Sequence, residues 1–480
     1  MGYHPGAEDD TVYLAAVKYA VNPSLYPFDR PFFMSQMRTS FFHVWMAHLV
    51  QASRLSVGSA ELLGQVVSLM LIFYASWSIL SALFEETTSR WGGMAMLSAA
   101  LTLPVAGTAL YLADQYLHPR NPATALILCA VARILAGRKW QALPLLAVSF
   151  LLHPLMGAMG ISFCCVLMLT HSEPVRKRIS MWRSHHFTEA SQVHRLNIAA
   201  VIPFGWIFDK PSQPFLDAVS SRHCYHLFQW TWYEWLGVIG PLIIFWGVAR
   251  FARRRQQLRL SRFATAVLLY CLFHLTLALL ILSPTRFPAL CTLEPMRFLQ
   301  LAYIFLVLVL GAYLGKYLLE TRVIRWVFFI MLANGTMFFT QRHLFAATQH
   351  IELPGRPSQN PWLQAFTWIR KNTPQDAYFA VDPEYMAAPE EDNDGFRALA
   401  ERSALADADK DAAVVTKAED LSLRWQRELH AETGWKHFRL ADFERLKEQF
   451  GVNWVLVSYP QPNGLGCPWH NALLAVCKVP

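Results

Sequence analysis

The residues best suited to do chemistry stand at the start of the sequence. The run His4-Pro5-Gly6-Ala7-Glu8-Asp9-Asp10 contains three consecutive carboxylates. Adjacent carboxylates repel one another unless a cation or a donor group of a ligand lies among them. Glu8, Asp9 and Asp10 therefore suit either a general base or a divalent-metal site in which Asp9 and Asp10 bind the metal. From charge alone, a solvated chain terminus is the alternative.

Membrane helices are the elements that must position these residues. Hydrophobic residues make up 54% of the 480-residue chain and charged residues 16%, whereas soluble domains have about 25% charged residues. The apolar residues concentrate between Leu62 and Thr340, in runs close to the roughly 20 residues that span a bilayer. We predict a polytopic α-helical membrane protein with about ten membrane segments: 60–84, 92–112, 121–137, 141–154, 155–170, 197–208, 231–250, 263–283, 298–318 and 325–341.

The charges of the predicted loops alternate along the chain. One set of loops holds 17 Lys and Arg residues and the other holds five. The basic set is 85–91, 138–140, 171–197, 250–262 and 316–325, and the other is 113–120, 209–230 and 284–297. Basic loops stay in the cytoplasm, so both ends of the chain are expected on the non-cytoplasmic side of the membrane. This distribution accounts for the net charge of +8 without a nucleic-acid partner.

The topology divides the chain into three predicted regions. Residues 1–59 form a first extracytoplasmic loop with an interfacial helix at 32–52, and residues 60–341 form the transmembrane domain. Residues 342–480 form an extracytoplasmic soluble α/β domain. Because a chain that begins outside needs a preceding helix to carry it across the membrane, we expect a natural first helix before Met1.

Some predicted segments are too short to cross a bilayer. Segments 141–154, 155–170 and 197–208 are interrupted by Pro or Gly, as at His153-Pro154. Broken helices persist at membrane depth only where protein or a water-filled cavity covers them. The sequence thus predicts a cavity that opens outward near residues 113–121, 153–157 and 208–230.

The C-terminal region alternates between helix and strand patterns. Helices are predicted at 362–371, 412–432 and 440–450, and strands at 377–381, 453–459 and 472–479. Cys467 and Cys477 flank a hairpin-like stretch on the oxidising side of the membrane, where they can pair in a disulfide. We interpret the remaining carboxylates as a solvated acidic surface: Asp382, Asp392, Asp394, Asp407, Asp409 and Asp411.

Two stretches resemble the GT-C superfamily of membrane glycosyltransferases. The acidic opening run lies where the first outer loop of such enzymes lies, and Trp362-Leu-Gln-Ala-Phe-Thr-Trp-Ile-Arg-Lys-Asn-Thr-Pro-Gln-Asp-Ala resembles the start of the soluble domain in many bacterial members. The Trp-Trp-Asp-Tyr-Gly signature of oligosaccharyltransferases is replaced by Val381-Asp382-Pro383-Glu384-Tyr385. The chain is also similar to bacterial membrane proteins that share the opening run, Gly395-Phe396-Arg397 and Arg402-Ser403.

This resemblance implies transfer of a sugar from a polyprenyl-phosphate donor on the outer, periplasmic side of a bacterial inner membrane, where both ends of the chain would lie. Asp9 or Asp10 would be the catalytic base that deprotonates an acceptor hydroxyl, and Glu8 would support the base or bind a metal ion. The anionic leaving group needs fixed cations, and arginine binds phosphate through two parallel hydrogen bonds. The substrate-binding candidates are Arg120, His118, Arg286, Arg297 and His153.

Other roles stay open for these residues and for the chain. Each arginine can instead be a membrane-edge anchor, and His153 a hydrogen-bonded structural residue. A polymerase or ligase of lipid-linked oligosaccharides also needs outer arginines, but not an acidic first loop. A transporter needs ionisable residues inside its spans, and a non-catalytic membrane protein needs no site at all. The expected partners are the bilayer and the polyprenyl-phosphate-linked donor, and a divalent metal ion is the one cofactor considered.

Overall fold

The structure, a computed structural model, describes residues 1–171, 211–282, 288–387, 392 and 394–480. Three short helices come first: α1 (Asp10–Val21), α2 (Pro31–Met37) and α3 (Phe42–Ser53). The apolar region follows, with α4 (Val57–Leu83), α5 (Thr87–Ala100), β1 (Pro104–Val105), β2 (Leu110–Tyr111), α6 (Arg120–Leu135), α7 (Ala142–Leu152), α8 (Pro154–His171), α9 (Gln213–Ser220), α10 (Trp232–Arg254), α11 (Leu258–Ile281), α12 (Pro288–Cys291), α13 (Leu299–Leu314) and α14 (Val323–Leu344). The C-terminal region contains α15 (Pro361–Asn372), β3 (Tyr378–Val381), α16 (Phe396–Ala400), β4 (Ser403–Ala404), α17 (Lys410–Val415), α18 (Ser422–Glu432), α19 (Leu440–Phe450), β5 (Trp454–Ser458), β6 (Gly466–His470) and β7 (Leu474–Lys478).

Within the described residues, six helical stretches are long and apolar enough to cross a membrane. They are Val57–Leu83, Pro154–His171, Trp232–Arg254, Leu258–Ile281, Pro288–Leu319 and Val323–Leu344. The helical, multi-pass class predicted from the sequence is therefore supported, but ten segments were too many. Helices α6 and α7 have 16 and 11 residues and are shorter than a bilayer is thick. The predicted segment 197–208 lies outside the described residues.

The prediction of a span at 92–112 is wrong because the chain turns back after α5. Strands β1 and β2 pair antiparallel there. Pro104 offers no N–H to continue a helix. Gly107 has a φ of +63°, and a Cβ on it would lie 2.4 Å from the Trp230 ring. The run is apolar because the hairpin is buried against α13, not because it crosses the bilayer.

Close helix packing fixes the place of that hairpin. A Cβ added to Gly92 in α5 would lie 2.2 Å from the backbone oxygen of Gly311 in α13, so the two backbones touch. At the start of α13, the Gln300 side chain donates to the backbone oxygens of Tyr111 and Leu112, each at 3.1 Å. The hairpin and the start of α13 are thereby held at one end of the helix bundle.

The C-terminal region contains a five-stranded mixed sheet in the order β4-β3-β5-β7-β6. Strands β4, β3 and β5 run parallel, and β7 runs antiparallel to both β5 and β6. A disulfide joins Cys467 in β6 to Cys477 in β7, as the sequence indicated. The predicted helix at 412–432 is instead two helices, α17 and α18. Strand β6 is not among the predicted strands.

Arg397 forms the buried centre of the contact between the first loop and the C-terminal region. Its guanidinium binds Asp29 and forms a two-pronged pair with Asp411 at 2.9 and 2.8 Å. It also donates to the backbone oxygens of Ala404 and Leu405, each at 3.2 Å. Removing one partner of such a buried pair typically costs about 3–5 kcal/mol, because the other charge is left uncompensated.

The interpretation of the C-terminal carboxylates as a solvated surface is therefore wrong for most of them. Asp392, Asp394, Asp407 and Asp411 are all buried. Asp407 accepts backbone hydrogen bonds from Asp409 and Lys410, so it holds the start of α17. These residues shape the interior of the protein rather than its outer charge.

The opening run packs against the Gly395-Phe396-Arg397 element, which is far from it in the sequence. The N–H of Gly395 donates to the oxygen of Gly6 at 2.8 Å, and Ala7 forms a bridge with Asp394. A Cβ on Gly395 would lie 2.1 Å from the Thr11 hydroxyl, so only glycine fits. The two motifs thus form one contact, and that contact fixes the carboxylates that follow Ala7.

Candidate active site

A cavity of about 730 Å³ lies where the first loop, the β1–β2 hairpin, the starts of α10 and α13, and the α17 segment meet. This volume is in the usual range for ligand sites, about 300–1,000 Å³. Ten formally charged residues line it: Glu8, Asp9, Asp114, Glu234, Glu294, Arg120, Arg222, Arg297, Lys410 and Lys417. Charges of both signs therefore converge from distant parts of the sequence.

Asp9 places a carboxylate between two cations in this cavity. One of its oxygens is 3.4 Å from Lys410 Nζ and the other is 3.6 Å from Arg120 Nη2. Burial raises the pKa of Asp9, but Lys410 and Arg120 outweigh it and hold the pKa well below its usual value. The side chain is 32% exposed, so it is charged and open to a ligand.

Lys410 is the cation that lies beside two of the three adjacent carboxylates, Glu8 and Asp9. Its Nζ is 2.8 Å from Glu8 and 3.4 Å from Asp409, and its side chain is only 6% exposed. Burial lowers the pKa of Lys410, but Glu8 and Asp9 raise it above its usual value. Glu8 has a φ of +51°, a conformation that is uncommon in non-glycine residues.

Arg120 is held by the loop that precedes α6. Its Nε and Nη2 form a two-pronged pair with Asp114 at 2.9 and 3.0 Å. Asn121 and Gln65 both donate to the backbone oxygen of Asp114, which fixes that loop against α4. Arg120 is 1% exposed, and its Nη1 has no hydrogen-bond partner among the described residues. This burial is incompatible with a membrane-edge anchor.

His118 positions Arg120 and also lines the cavity. Its Nδ1 accepts a hydrogen bond from the backbone N–H of Arg120 at 3.1 Å, so it caps the start of α6. Burial and then the Arg120 charge lower the pKa of His118 well below its usual value, so the imidazole is neutral. Its ring packs edge-on against Tyr13 at 4.4 Å.

A second group of charges lies around Glu294. Arg297 pairs with this carboxylate, and Lys417 Nζ lies 3.2 Å from its other oxygen. Two cations thus share one carboxylate. Burial, followed by the charge of Arg297, lowers the pKa of Lys417 to about 7. Because Arg297 and Lys417 share a single carboxylate, an anion placed beside Lys417 would offset the charge of Arg297 and stabilise the ammonium form.

Not every predicted site residue lies in the cavity. Asp10 is fully buried outside the lining, where its Oδ2 accepts the Gly6 N–H at 2.7 Å. Burial raises the pKa of Asp10 to about 7. His153 lies behind His118, with 5.7 Å between ring centroids, and its Nδ1 accepts the Met156 N–H in the first turn of α8. Arg286 lies outside the described residues.

Metal binding by Asp9 and Asp10 stays a prediction. In the part of the chain that the structure describes, no three His, Cys, Asp or Glu side chains converge as metal ligands. Asp9 faces the cavity while Asp10 bonds to the backbone of the opening run. Lys410 fills the place beside Glu8 and Asp9 that a cation was expected to take.

Three cations in the cavity were missed at the level of sequence: Lys410, Lys417 and Arg222. Lys410 stands among Asp407, Asp409 and Asp411, and such an alternation of signs is typical of a solvated surface. Arg222 is held by Asp409, whose Oδ1 is 2.6 Å from its Nη1. The signal that was available is the pair of lysines seven residues apart in a stretch rich in alanine and valine, which predicts a partly buried segment.

Comparisons with known proteins identify no family for this chain. No protein-family model matches the sequence, and no curated protein matches it. The resemblance to GT-C glycosyltransferases therefore stays a prediction from the opening run and from the stretch that begins at Trp362.

Proposed function

We propose that the chain is a GT-C-like glycosyltransferase that transfers a sugar from a polyprenyl-phosphate donor to an acceptor hydroxyl at the non-cytoplasmic face of the membrane. The observation that carries this proposal is the pairing, in one cavity, of an open carboxylate at Asp9 with a surplus of positive charge at Arg297 and Lys417. A glycosyl transfer needs both, since one group must take a proton and another must stabilise a leaving phosphate.

The carboxylate and the cations have separate roles in the proposed step. The acceptor oxygen attacks the anomeric carbon, its proton passes to Asp9, and the bond from that carbon to the phosphate oxygen breaks. The polyprenyl phosphate leaves with the electron pair and is stabilised by Arg297 and Lys417. Arg120 is held in place by Asp114 and keeps Asp9 charged. Its Nη1 is the nitrogen left without a hydrogen-bond partner among the described residues.

Donor binding would raise the low pKa of Asp9. A carboxylate held charged by Lys410 and Arg120 is a weak base on its own. An anionic phosphate in the cavity offsets part of the positive charge that acts on Asp9. The proton affinity of Asp9 therefore rises when the donor is bound, so that the base becomes effective only in the complex.

The edge of the cavity suits a ligand with a lipid chain. Tyr233 lines the cavity and is 59% exposed, and its neighbours Trp232 and Phe228 are 77% and 68% exposed. Exposed aromatic rings at the start of a spanning helix are typical of the membrane interface. A phosphate in the cavity can thus remain attached to a chain that extends into the bilayer past these rings.

The function is tested by the lipids of a deletion strain. Loss of the gene is expected to cause accumulation of a polyprenyl-phosphate sugar, which mass spectrometry of the lipid extract detects. The wild-type gene in trans should restore the normal lipid profile. An unchanged set of lipid-linked sugars in the deletion strain would contradict the proposed reaction.

The orientation is tested by labelling of single introduced cysteines. Gln359 and Gln256 are both exposed and lie on opposite sides of the membrane in the proposed topology. In whole cells, a membrane-impermeant thiol reagent is expected to label Gln359→Cys and to leave Gln256→Cys unlabelled above the parent chain. Opening the inner membrane should make Gln256→Cys reactive. The reverse pattern in whole cells would overturn the assignment of the cavity to the non-cytoplasmic face.

A further inference from the structure

A second crevice, of about 350 Å³, lies in the C-terminal region, apart from the cavity described above. Its walls come from the residues that follow β3, from Ala408 beyond β4, and from the end of α18 with the turn after it. Strands β3 and β4 are parallel, so the crevice lies at their carboxyl ends. Open α/β sheets bind small ligands at this edge.

The side chain that distinguishes this crevice is Glu432. It is 1% exposed, and neither carboxyl oxygen has a hydrogen-bond partner among the described residues. One turn earlier on the same helix, Glu428 is also buried but is fully bonded. Its oxygens accept from the Ala406 N–H at 2.8 Å and from Arg424 Nε at 2.6 Å. Buried polar groups in folded proteins are nearly always satisfied, so the two free oxygens of Glu432 point to a ligand.

The charges around Glu432 decide what kind of ligand fits. Asp382 and Glu384 line the same crevice, and Glu428 and Asp407 lie close enough to oppose a second negative charge at Glu432. Burial, reinforced by these carboxylates, raises the pKa of Glu432 well above its usual value. The basic residues of the crevice, His430, Lys436 and His437, are exposed at its rim. Glu384 is exposed at the rim as well, so the more buried part of the lining contains the carboxylates of Asp382 and Glu432 and no basic side chain.

We propose that this crevice binds the ammonium group of a small organic amine, with Glu432 as the buried anchoring carboxylate. An ammonium group donates three hydrogen bonds and supplies the positive charge that the acidic interior lacks. The amine can belong to an amino sugar or to an amino-alcohol headgroup. The site does not depend on the glycosyltransferase proposal.

The test is calorimetric titration of the full chain, purified in detergent, with glucosamine, ethanolamine and glucose. Both amines are expected to bind if the ammonium group alone is recognised, and only glucosamine if the sugar ring is also required. Glucose has no ammonium group and should not bind. Glucose binding as tightly as glucosamine would overturn the assignment of the site to amines, as would a wild-type chain that binds neither amine.

Variants locate the binding within the crevice. Glu432→Gln keeps the shape of the side chain and removes its charge, so amine affinity should fall by about 10- to 100-fold, the usual effect of losing charge-assisted hydrogen bonds. Glu448→Gln changes an exposed carboxylate on α19 and should bind the amine like the wild type. The thermal unfolding of both variants without ligand should match that of the parent or exceed it. Unchanged amine affinity in Glu432→Gln would overturn the role given to Glu432.

Discussion

Asp9→Asn is expected to lower the rate of sugar transfer by about 10²–10⁴, the usual cost of losing a general base. Asparagine keeps the shape of the side chain but cannot take the proton from the acceptor hydroxyl. Lys410 keeps Glu8 at 2.8 Å and Asp409 at 3.4 Å, so the fold around the site should persist. The measurement is the initial rate of transfer by purified protein, with donor lipid extracted from the deletion strain.

Asp10→Asn is the matched control for this prediction. Asp10 stands next to Asp9 but is buried outside the cavity, and its pKa of about 7 means that it is already partly neutral at physiological pH. Asparagine can still accept the Gly6 N–H, so the rate should stay within a few-fold of the wild type. Full activity in Asp9→Asn would exclude Asp9 as the base. An equal loss in both variants would point to a disturbed opening run instead.

The affinity for a polyprenyl-phosphate sugar is expected to fall as the pH rises above about 7, because Lys417 then loses its charge. The pKa of Lys417 is lowered to about 7 by burial and by Arg297. A bound anion favours the ammonium form, so binding takes up a proton above this pH. With one proton linked to binding, affinity changes by about tenfold per pH unit until the pKa of the complex is reached. The donor is a phosphodiester and does not titrate in this range.

Lys417→Met should remove most of this pH dependence and should bind the donor weakly at every pH. Lys436→Met, which changes an exposed lysine at the rim of the other crevice, should keep the wild-type profile. Binding is measured with a fluorescent polyprenyl-phosphate sugar in detergent across about pH 6 to 9. A flat profile in the wild type would mean that Lys417 does not contact the phosphate.

The folded state gives an independent check on the same titration. Because the pKa of Lys417 is lower in the folded chain than in the unfolded one, the unfolded chain binds more protons between the two values. The stability without ligand should therefore rise as the pH increases from about 7 towards the usual pKa of lysine. The Lys417→Met variant should lack this contribution. The two readouts have opposite signs, since higher pH stabilises the empty site but weakens donor binding.

The membrane class could be predicted from the sequence, because apolar runs of this length are typical of membrane-spanning helices. The sequence was also sufficient for α19, for β5 and β7, and for the Cys467–Cys477 disulfide. It failed at 92–112, since hydropathy does not distinguish a buried hairpin from the end of a span. The chain turns back there at Pro104 and at Gly107, and the place of Gly107 depends on its close approach to the Trp230 ring.

Some residues of the candidate site could be predicted from the sequence and others could not. Asp9, Arg120, His118 and Arg297 could be chosen from residue type and predicted loop, and the structure brings all four into one cavity. The distinction between Asp9 and its neighbour Asp10 depends on which side of the first turn of α1 faces the cavity. Lys410 and Lys417 could not be placed, because their roles depend on the docking of the C-terminal region against the first loop.

The ion pair between Lys410 and Glu8 also has a consequence for biosynthesis. Its partners are 402 residues apart in the sequence, and the buried pair of Arg397 with Asp29 joins residues 368 apart. Contacts between such distant residues form late, since both partners must first leave the ribosome. A chain interrupted before Lys410 has Asp9 and the apolar helices but neither lysine of the cavity. Unfinished copies in the membrane therefore lack two of the cations that line the cavity.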